Sequence, residues 1–138
     1  MLILSWLPES ENKKMNINIS ATERTPEITM TMEPLYLRLK GESYPEDVSA
    51  FYGELINAVD DLTKSPNGNL QVDFEFIYIN SSSIKALYRI FEGLENYRKM
   101  AHAVKINWKA DTDDEIMVEL GEDFKERFPQ LEFLVESN

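Results

Sequence analysis

Three short runs near the start of the chain alternate between polar and apolar residues, a pattern that predicts β-strands. The runs cover residues 16–20, 27–32 and 35–39. Glu33 and Pro34 separate the second run from the third, so these two strands are predicted to form a hairpin. Gly41 is predicted to end the third strand.

Three later segments carry apolar residues at helical spacing and are predicted to be amphipathic helices. The first begins near Pro45 and ends at residues 65–68, because proline suits a first helical turn and a Pro-Asn-Gly sequence stops a helix. The second follows Asn80, and the third follows the acidic residues 113–115. Acidic side chains at a helix start are favoured by the positive end of the helix dipole.

Strands are predicted between these helices, at residues 71–79, 104–108 and 131–135. Residues 77–79 are apolar throughout, which predicts that this strand is central in the sheet and covered on both faces there. Strands that alternate with helices predict an α/β fold, here a mixed, mainly parallel sheet with an N-terminal hairpin and about three helices. One domain is expected over residues 15–138, preceded by an extension at residues 1–14.

The amino-acid composition disfavours several classes of binding partner. The chain has 138 residues, no cysteine and a formal net charge of -11. Such an acidic surface disfavours nucleic acid and anionic membranes as partners. The charge serves solubility or steers a basic partner towards the protein. With no membrane-spanning run and no signal-peptide pattern in residues 1–14, a cytoplasmic location is expected.

The strongest candidate site is the segment Asn80-Ser-Ser-Ser83, where a buried strand is predicted to end and a helix to begin. Serine side chains at this position can cap the helix by accepting hydrogen bonds from its free N–H groups. A phosphate on one of them would face the same N–H groups and the positive dipole end, and Lys85 lies in the first turn. Both interpretations remain open from the residues alone.

Other combinations that could support catalysis are weak. Residues 111–115 resemble part of a calcium loop, but Ile116 stands where the tight turn requires glycine. His102 is the only histidine, and the five glycines form no phosphate-binding loop. No enzyme activity, metal or cofactor is therefore predicted. A carboxylate- or metal-dependent enzyme remains the rival interpretation, and it would require a deep cleft with converging acids.

Four segments resemble the SiaC family of bacterial regulatory phosphoproteins. They are Ile17-Asn-Ile-Ser-Ala-Thr-Glu-Arg-Thr-Pro-Glu-Ile28, Gly41-Glu-Ser-Tyr-Pro-Glu46, Tyr78-Ile-Asn-Ser-Ser-Ser-Ile-Lys85, and Ile106-Asn-Trp108 followed by residues 113–115. The resemblance extends from about Met15 to the C-terminus. It implies a STAS-like fold, as in anti-sigma factor antagonists.

The resemblance also implies a function in partner switching. In the family, a kinase phosphorylates a hydroxyl at the start of this helix and a PP2C-type phosphatase removes the phosphate. The unphosphorylated form binds and activates a diguanylate cyclase, which links the switch to cyclic-di-GMP and biofilm regulation. Ser81 is the expected acceptor, followed by Ser82 and then Ser83, with Asn80 shaping the turn and Lys85 near the phosphate. The faces of the helices around residues 47–64 and 82–99 are the expected docking surface, and a constitutive binding domain without a switch is the alternative.

Overall fold

A computed structural model of the protein describes residues 16–64, 68–100 and 102–137. These residues form six strands and three helices in the order that the sequence predicts. The strands are β1 (Ile17–Ile19), β2 (Glu27–Met32), β3 (Leu35–Ser43), β4 (Leu70–Ile79), β5 (Val104–Ala110) and β6 (Glu132–Ser137). The helices are α1 (Val48–Lys64), α2 (Ser81–Arg98) and α3 (Glu115–Arg127). The predicted extension at residues 1–14 lies outside the described residues.

The strands form a single sheet in sequence order, β1-β2-β3-β4-β5-β6. β1, β2 and β3 pair antiparallel, whereas β3, β4, β5 and β6 pair parallel. The expected α/β fold with an N-terminal hairpin is therefore confirmed. The three parallel connections all advance the sheet in the same direction. Connections of this kind are right-handed in nearly all proteins, which places all three helices on one face. None of these helices combines the length and apolar character that crossing a bilayer requires.

The core lies between the helices and the covered face of the sheet. Along β4, Val72, Phe74 and Phe76 are buried, whereas the residues between them are partly exposed. The opposite face, which we call the open face, carries polar side chains that pair across strands. Arg38 Nε donates to Glu75 Oε2 at 3.0 Å in such a pair. One apolar face and one polar face explain the period-two pattern in the sequence.

Trp108 anchors the aromatic part of the core. Its side chain is 1% exposed, and its ring centroid lies 5.5 Å from the rings of both Phe74 and Phe124. The indole Nε1 donates to the Met117 carbonyl oxygen at 2.9 Å, which satisfies its only polar atom. Gly121 of α3 packs directly on the indole, because a Cβ at this position would lie 2.4 Å from Trp108 Cδ1.

Two details of the sheet differ from the sequence predictions. Gly41 does not end β3. It has a φ of 126° at an irregularity in the pairing with β4, and the strand continues to Ser43. The prediction that residues 77–79 are covered on both faces is also wrong, because Ile77 is 66% and Tyr78 49% exposed. The register shift opposite Gly41 and Glu42 adds one residue to β4, so two successive side chains emerge from the sheet.

Candidate functional site

Asn80 begins helix α2 as its N-cap. Its backbone is extended, with φ −86° and ψ 170°, and its side-chain oxygen accepts a hydrogen bond from the Ser83 N–H at 2.9 Å. The Asn80 N–H donates to the Ser43 carbonyl oxygen at 3.0 Å. Asn80 therefore fixes the change of direction between β4 and α2 and ties it to the end of β3. This is the turn-shaping function that the sequence predicts for Asn80.

Ser81 and Ser82 occupy the first two positions of the helix, and both side chains are exposed. Their N–H groups precede the first intrahelical hydrogen bond, which runs from the Ile84 N–H to the Asn80 carbonyl. Neither N–H has a hydrogen-bond partner within the described residues. The two serines therefore present hydroxyls to solvent beside free donors at the positive end of the helix dipole.

Lys85 follows one turn later and is exposed on the same side of α2 as Ser81. Its ammonium group forms no ion pair within the described part of the chain. Sequence reasoning placed Ser81, Ser82 and Lys85 together, and the helix start brings them together on one exposed surface.

Ser83 points the other way, into the core. It is 0% exposed, as are Ser43 and Tyr52. Ser43 Oγ donates to Ser83 Oγ at 2.8 Å, and Ser83 Oγ donates to the Ser43 carbonyl at 3.2 Å. Since each hydroxyl has one proton, Tyr52 is left as the donor to Ser43 Oγ, 2.6 Å away. All three buried hydroxyl protons are then satisfied, as the low-dielectric interior requires.

We refer to Ser43, Tyr52 and Ser83 as the hydroxyl chain. It joins β3, α1 and α2 directly beneath the two exposed serines. The hydroxyl chain distinguishes Ser83 from the two serines before it. The Ser83 hydroxyl is hydrogen-bonded and shielded from solvent, so a kinase could reach it only if the start of α2 opened. Ser43 and Tyr52 were not predicted from the sequence to contribute to the site. The available signal was that Ser43 lies within the same short motif as Gly41 and Pro45.

Replacing Tyr52 by phenylalanine should lower stability modestly at neutral pH and change its dependence on alkaline pH. The loss of one buried hydrogen bond costs about 1 kcal/mol. Burial raises the pKa of Tyr52 to about 12, although the neighbouring hydroxyls of Ser43 and Ser83 act in the opposite direction. Keeping this phenol neutral stabilises the fold below pH 10, and the contribution is lost as the pH rises from 10 towards 12.

Urea unfolding at several pH values between 7 and 12 measures both effects. The pKa of Tyr36 is also raised to about 12, first by burial and then by its hydrogen bond to Asp73, so the wild-type curve contains two such contributions. The difference between wild type and Tyr52→Phe isolates Tyr52. Parallel stability curves above pH 10 would contradict the assignment of the raised pKa to this buried phenol.

The described residues line several open depressions. One, of about 640 Å³, lies between residues 22–25 and the start of α1, another, of about 390 Å³, lies at the open face beside Ile77, and a third, of about 450 Å³, lies between α3 and Phe133. None of these three includes residues 80–85. Asp114, in the acidic segment that resembles a calcium loop, caps α3 by accepting from the Met117 N–H at 3.1 Å. Among the described residues, no group of acidic or histidine side chains is arranged to hold a metal ion.

Comparison with known proteins decides the family. The sequence profile of the SiaC family regulatory phosphoproteins matches residues 19–138, which is most of the chain. The protein belongs to the SiaC family. An uncharacterized protein of Pseudomonas aeruginosa strain UCBPP-PA14 is 32% identical over 111 residues, covering 80% of this chain and 88% of the relative.

Solved SiaC structures from Pseudomonas aeruginosa share the fold. SiaC in its complex with the diguanylate cyclase SiaD, for which it is named as the activator, is 29% identical with a TM-score of 0.84. That match covers 89% of this chain and all of SiaC. Apo-SiaC is 28% identical with a TM-score of 0.78, covering 89% of this chain and 98% of SiaC. The family resemblance and the α/β fold that the sequence indicates are both confirmed.

Proposed function

We propose that this protein is an adaptor that binds and activates a diguanylate cyclase, and that phosphorylation of Ser81 switches this binding off. Membership of a family of regulatory phosphoproteins supports control by phosphate. The similar SiaC protein, observed in complex with the cyclase SiaD as its activator, supports the partner class. A kinase and a PP2C-type phosphatase set the phosphorylation state. The adaptor acts in the cytoplasm, beside the nucleotide substrate of the cyclase, and works through binding rather than catalysis.

The observation that carries this proposal is the contrast among three consecutive serines. Ser81 and Ser82 are exposed beside free N–H groups, whereas Ser83 is buried in the hydroxyl chain. A phosphate on Ser81 would add about −1.5 to −2 charges at the positive end of α2, where an anion is favoured by roughly 0.3–1 kcal/mol. The fold is therefore expected to tolerate the modification.

The surface around Ser81 suits protein binding. Tyr78 is half exposed at the end of β4, two residues before Asn80, and its ring packs edge-on against Tyr44 with centroids 5.8 Å apart. Ile77 beside it is also exposed. An aromatic side chain exposed three residues before the modifiable hydroxyl gives a partner apolar area to desolvate. Covering an unpaired phosphate there costs the partner several kcal/mol, so the modification would oppose binding.

Site-localising mass spectrometry tests the assignment of the acceptor. The full-length protein is incubated with its kinase and ATP, and the phosphorylated residues are identified by fragmentation. The expected result is one phosphate on Ser81 that the PP2C-type phosphatase removes. Ser81→Ala should reduce incorporation by more than about 90%, whereas Ser83→Ala, its matched control, should retain Ser81 phosphorylation if it remains folded.

Two results would contradict the proposal in different ways. Phosphate found mainly on Ser82 would move the acceptor by one residue and leave the switch intact. Absence of phosphate from residues 81–83 under conditions in which the kinase is active would support the alternative, a constitutive binding domain in which these serines only cap the helix.

A further inference from the structure

Helix α2 differs in charge from the other two helices. It contains three basic and two acidic side chains, whereas α1 contains one basic and three acidic, and α3 two basic and five acidic. In a chain with a net charge of -11, the helix that carries the candidate phosphosite is thus the only one of α1, α2 and α3 with a positive balance. The positive balance of α2 bears on the charge of the partner's surface, which the proposed function does not specify.

Apart from Ser82, the exposed residues of α2 form one stripe along the helix, which continues to the C-cap Lys99 with spacings of three or four positions. We call this stripe the basic ridge; it consists of Ser81, Lys85, Arg89, Glu92, Asn96 and Lys99. The stripe extends about 27 Å from Ser81, at a rise of about 1.5 Å per residue. It carries three cations and one anion, with the candidate acceptor Ser81 at one end.

The cations of the ridge are available to a partner. Lys85 forms no ion pair among the described residues. Arg89 approaches Glu92 only to 3.9 Å, with both side chains more than 60% exposed, and Lys99 approaches Glu95 to the same distance. Solvent-exposed pairs of this kind contribute little energy, so a partner's carboxylates can replace them at small cost.

A partner in contact with the basic ridge is affected more by the charges of the ridge than by the net charge of the protein. Screening reduces interactions between exposed charges beyond about 8 Å at physiological ionic strength, so an acidic partner in contact with the ridge interacts first with its cations. The acidic helices on either side would oppose lateral displacement of such a partner. Phosphate on Ser81 would add about two negative charges to a stripe with a formal balance of two positive charges, and would thereby remove its attraction for acidic groups.

We propose that the basic ridge is the docking surface for an acidic segment of the partner protein. This inference rests on the proposed function, because it assigns the chemistry of the cyclase surface that the adaptor binds. It also explains the direction of the switch: binding is electrostatically favourable before phosphorylation and unfavourable after it. The net charge alone suggested a basic partner, but the distribution of charge around Ser81 indicates an acidic one.

The test compares two double charge reversals that change the net charge equally. Lys85→Glu with Arg89→Glu alters the ridge, whereas Lys105→Glu with Lys125→Glu alters exposed lysines on β5 and α3, outside the expected docking surface. Each unphosphorylated protein is titrated calorimetrically with the organism's diguanylate cyclase most similar to SiaD, at 50 and 300 mM NaCl. The ridge variant should bind about 30-fold more weakly than wild type at 50 mM, and the control variant less than threefold more weakly. Wild-type affinity should fall at 300 mM.

Each result decides between the two proposals. Equal weakening by both variants, no weakening by the ridge variant, or tighter binding by it would overturn the acidic-segment inference while leaving the adaptor function intact. Failure of wild type to bind the cyclase would overturn the proposed function and the inference together. Thermal unfolding of every variant checks the fold, and Lys85→Gln with Arg89→Gln replaces the ridge variant if the reversal destabilises the helix.

Discussion

Replacing Gly121 by alanine is expected to lower the free energy of unfolding by about 3 kcal/mol, because the new methyl group has no room beside Trp108. An ideal Cβ would lie 2.4 Å from Cδ1, 2.8 Å from Nε1 and 2.9 Å from Cγ of the indole. The indole is buried among Phe74, Phe76 and Phe124 and is fixed by its hydrogen bond to the Met117 carbonyl. It can move only by disturbing the packing of α3 on the sheet.

The same substitution at Gly53 is the matched control. Gly53 lies within α1, and a Cβ there would have no neighbouring atom within 4 Å. Alanine at this position should increase stability by roughly 0.5–1 kcal/mol, because it lowers the entropy of the unfolded chain and favours the helix. Urea unfolding of the two variants should therefore shift in opposite directions. A destabilisation below about 1 kcal/mol for Gly121→Ala would show that the indole packs less tightly than described.

Substituting glutamate for each of the three serines in turn should separate Ser83 sharply from its neighbours. Ser81→Glu and Ser82→Glu place a carboxylate at exposed positions in the first turn of α2, where the dipole favours it by a few tenths of a kcal/mol. Ser83→Glu forces a carboxylate into the site of a fully buried hydroxyl. We expect it to cost at least about 3 kcal/mol, since the charge must be desolvated or the helix start must open.

Thermal unfolding of the three variants provides the measurement. The midpoints of Ser81→Glu and Ser82→Glu should lie within about 3 °C of wild type, and that of Ser83→Glu should be lower by roughly 10 °C or more. Similar midpoints for all three variants would show that the hydroxyl chain does not shield Ser83. Ser83 would then become as plausible an acceptor as the serines before it.

The periodicity of the sequence was sufficient to predict the order of the elements. Strands with a period of two and helices with a period of 3.6 reflect which face is buried, and the single covered face of this sheet produces both patterns clearly. The parallel pairing of β3 to β6 followed from the alternation of strands and helices. The order of the elements depends on the hydrophobic pattern within each segment, which can be read from that segment alone.

The errors arose where two distant segments determine the local structure. Gly41 favours a strand end when read alone, but here its positive φ accommodates an irregularity against β4 and the strand continues. The same irregularity exposes Ile77 and Tyr78, whose apolar character indicated burial on both faces. Both errors have one cause, which is a register shift between strands that neither segment reveals by itself.

The exposed residues of the site could be predicted from the sequence, but the buried hydroxyl chain beneath them could not. Asn80 and the serines after it have the composition of a helix start, so the cap and the exposed hydroxyls could be proposed from the sequence. The inward orientation of Ser83 depends on Ser43, forty residues earlier, which reaches it only because β3 continues past Gly41. A polar contact between residues so far apart leaves no periodic signal in one sequence.

The most direct test of the switch is calorimetric titration of the cyclase with the unphosphorylated protein and with the protein phosphorylated stoichiometrically on Ser81. The unphosphorylated form should bind and stimulate cyclic-di-GMP synthesis, and the phosphorylated form should bind at least about 100-fold more weakly at an unchanged unfolding temperature. Equal affinities for the two forms, with phosphate verified on Ser81, would contradict phosphorylation control of this adaptor.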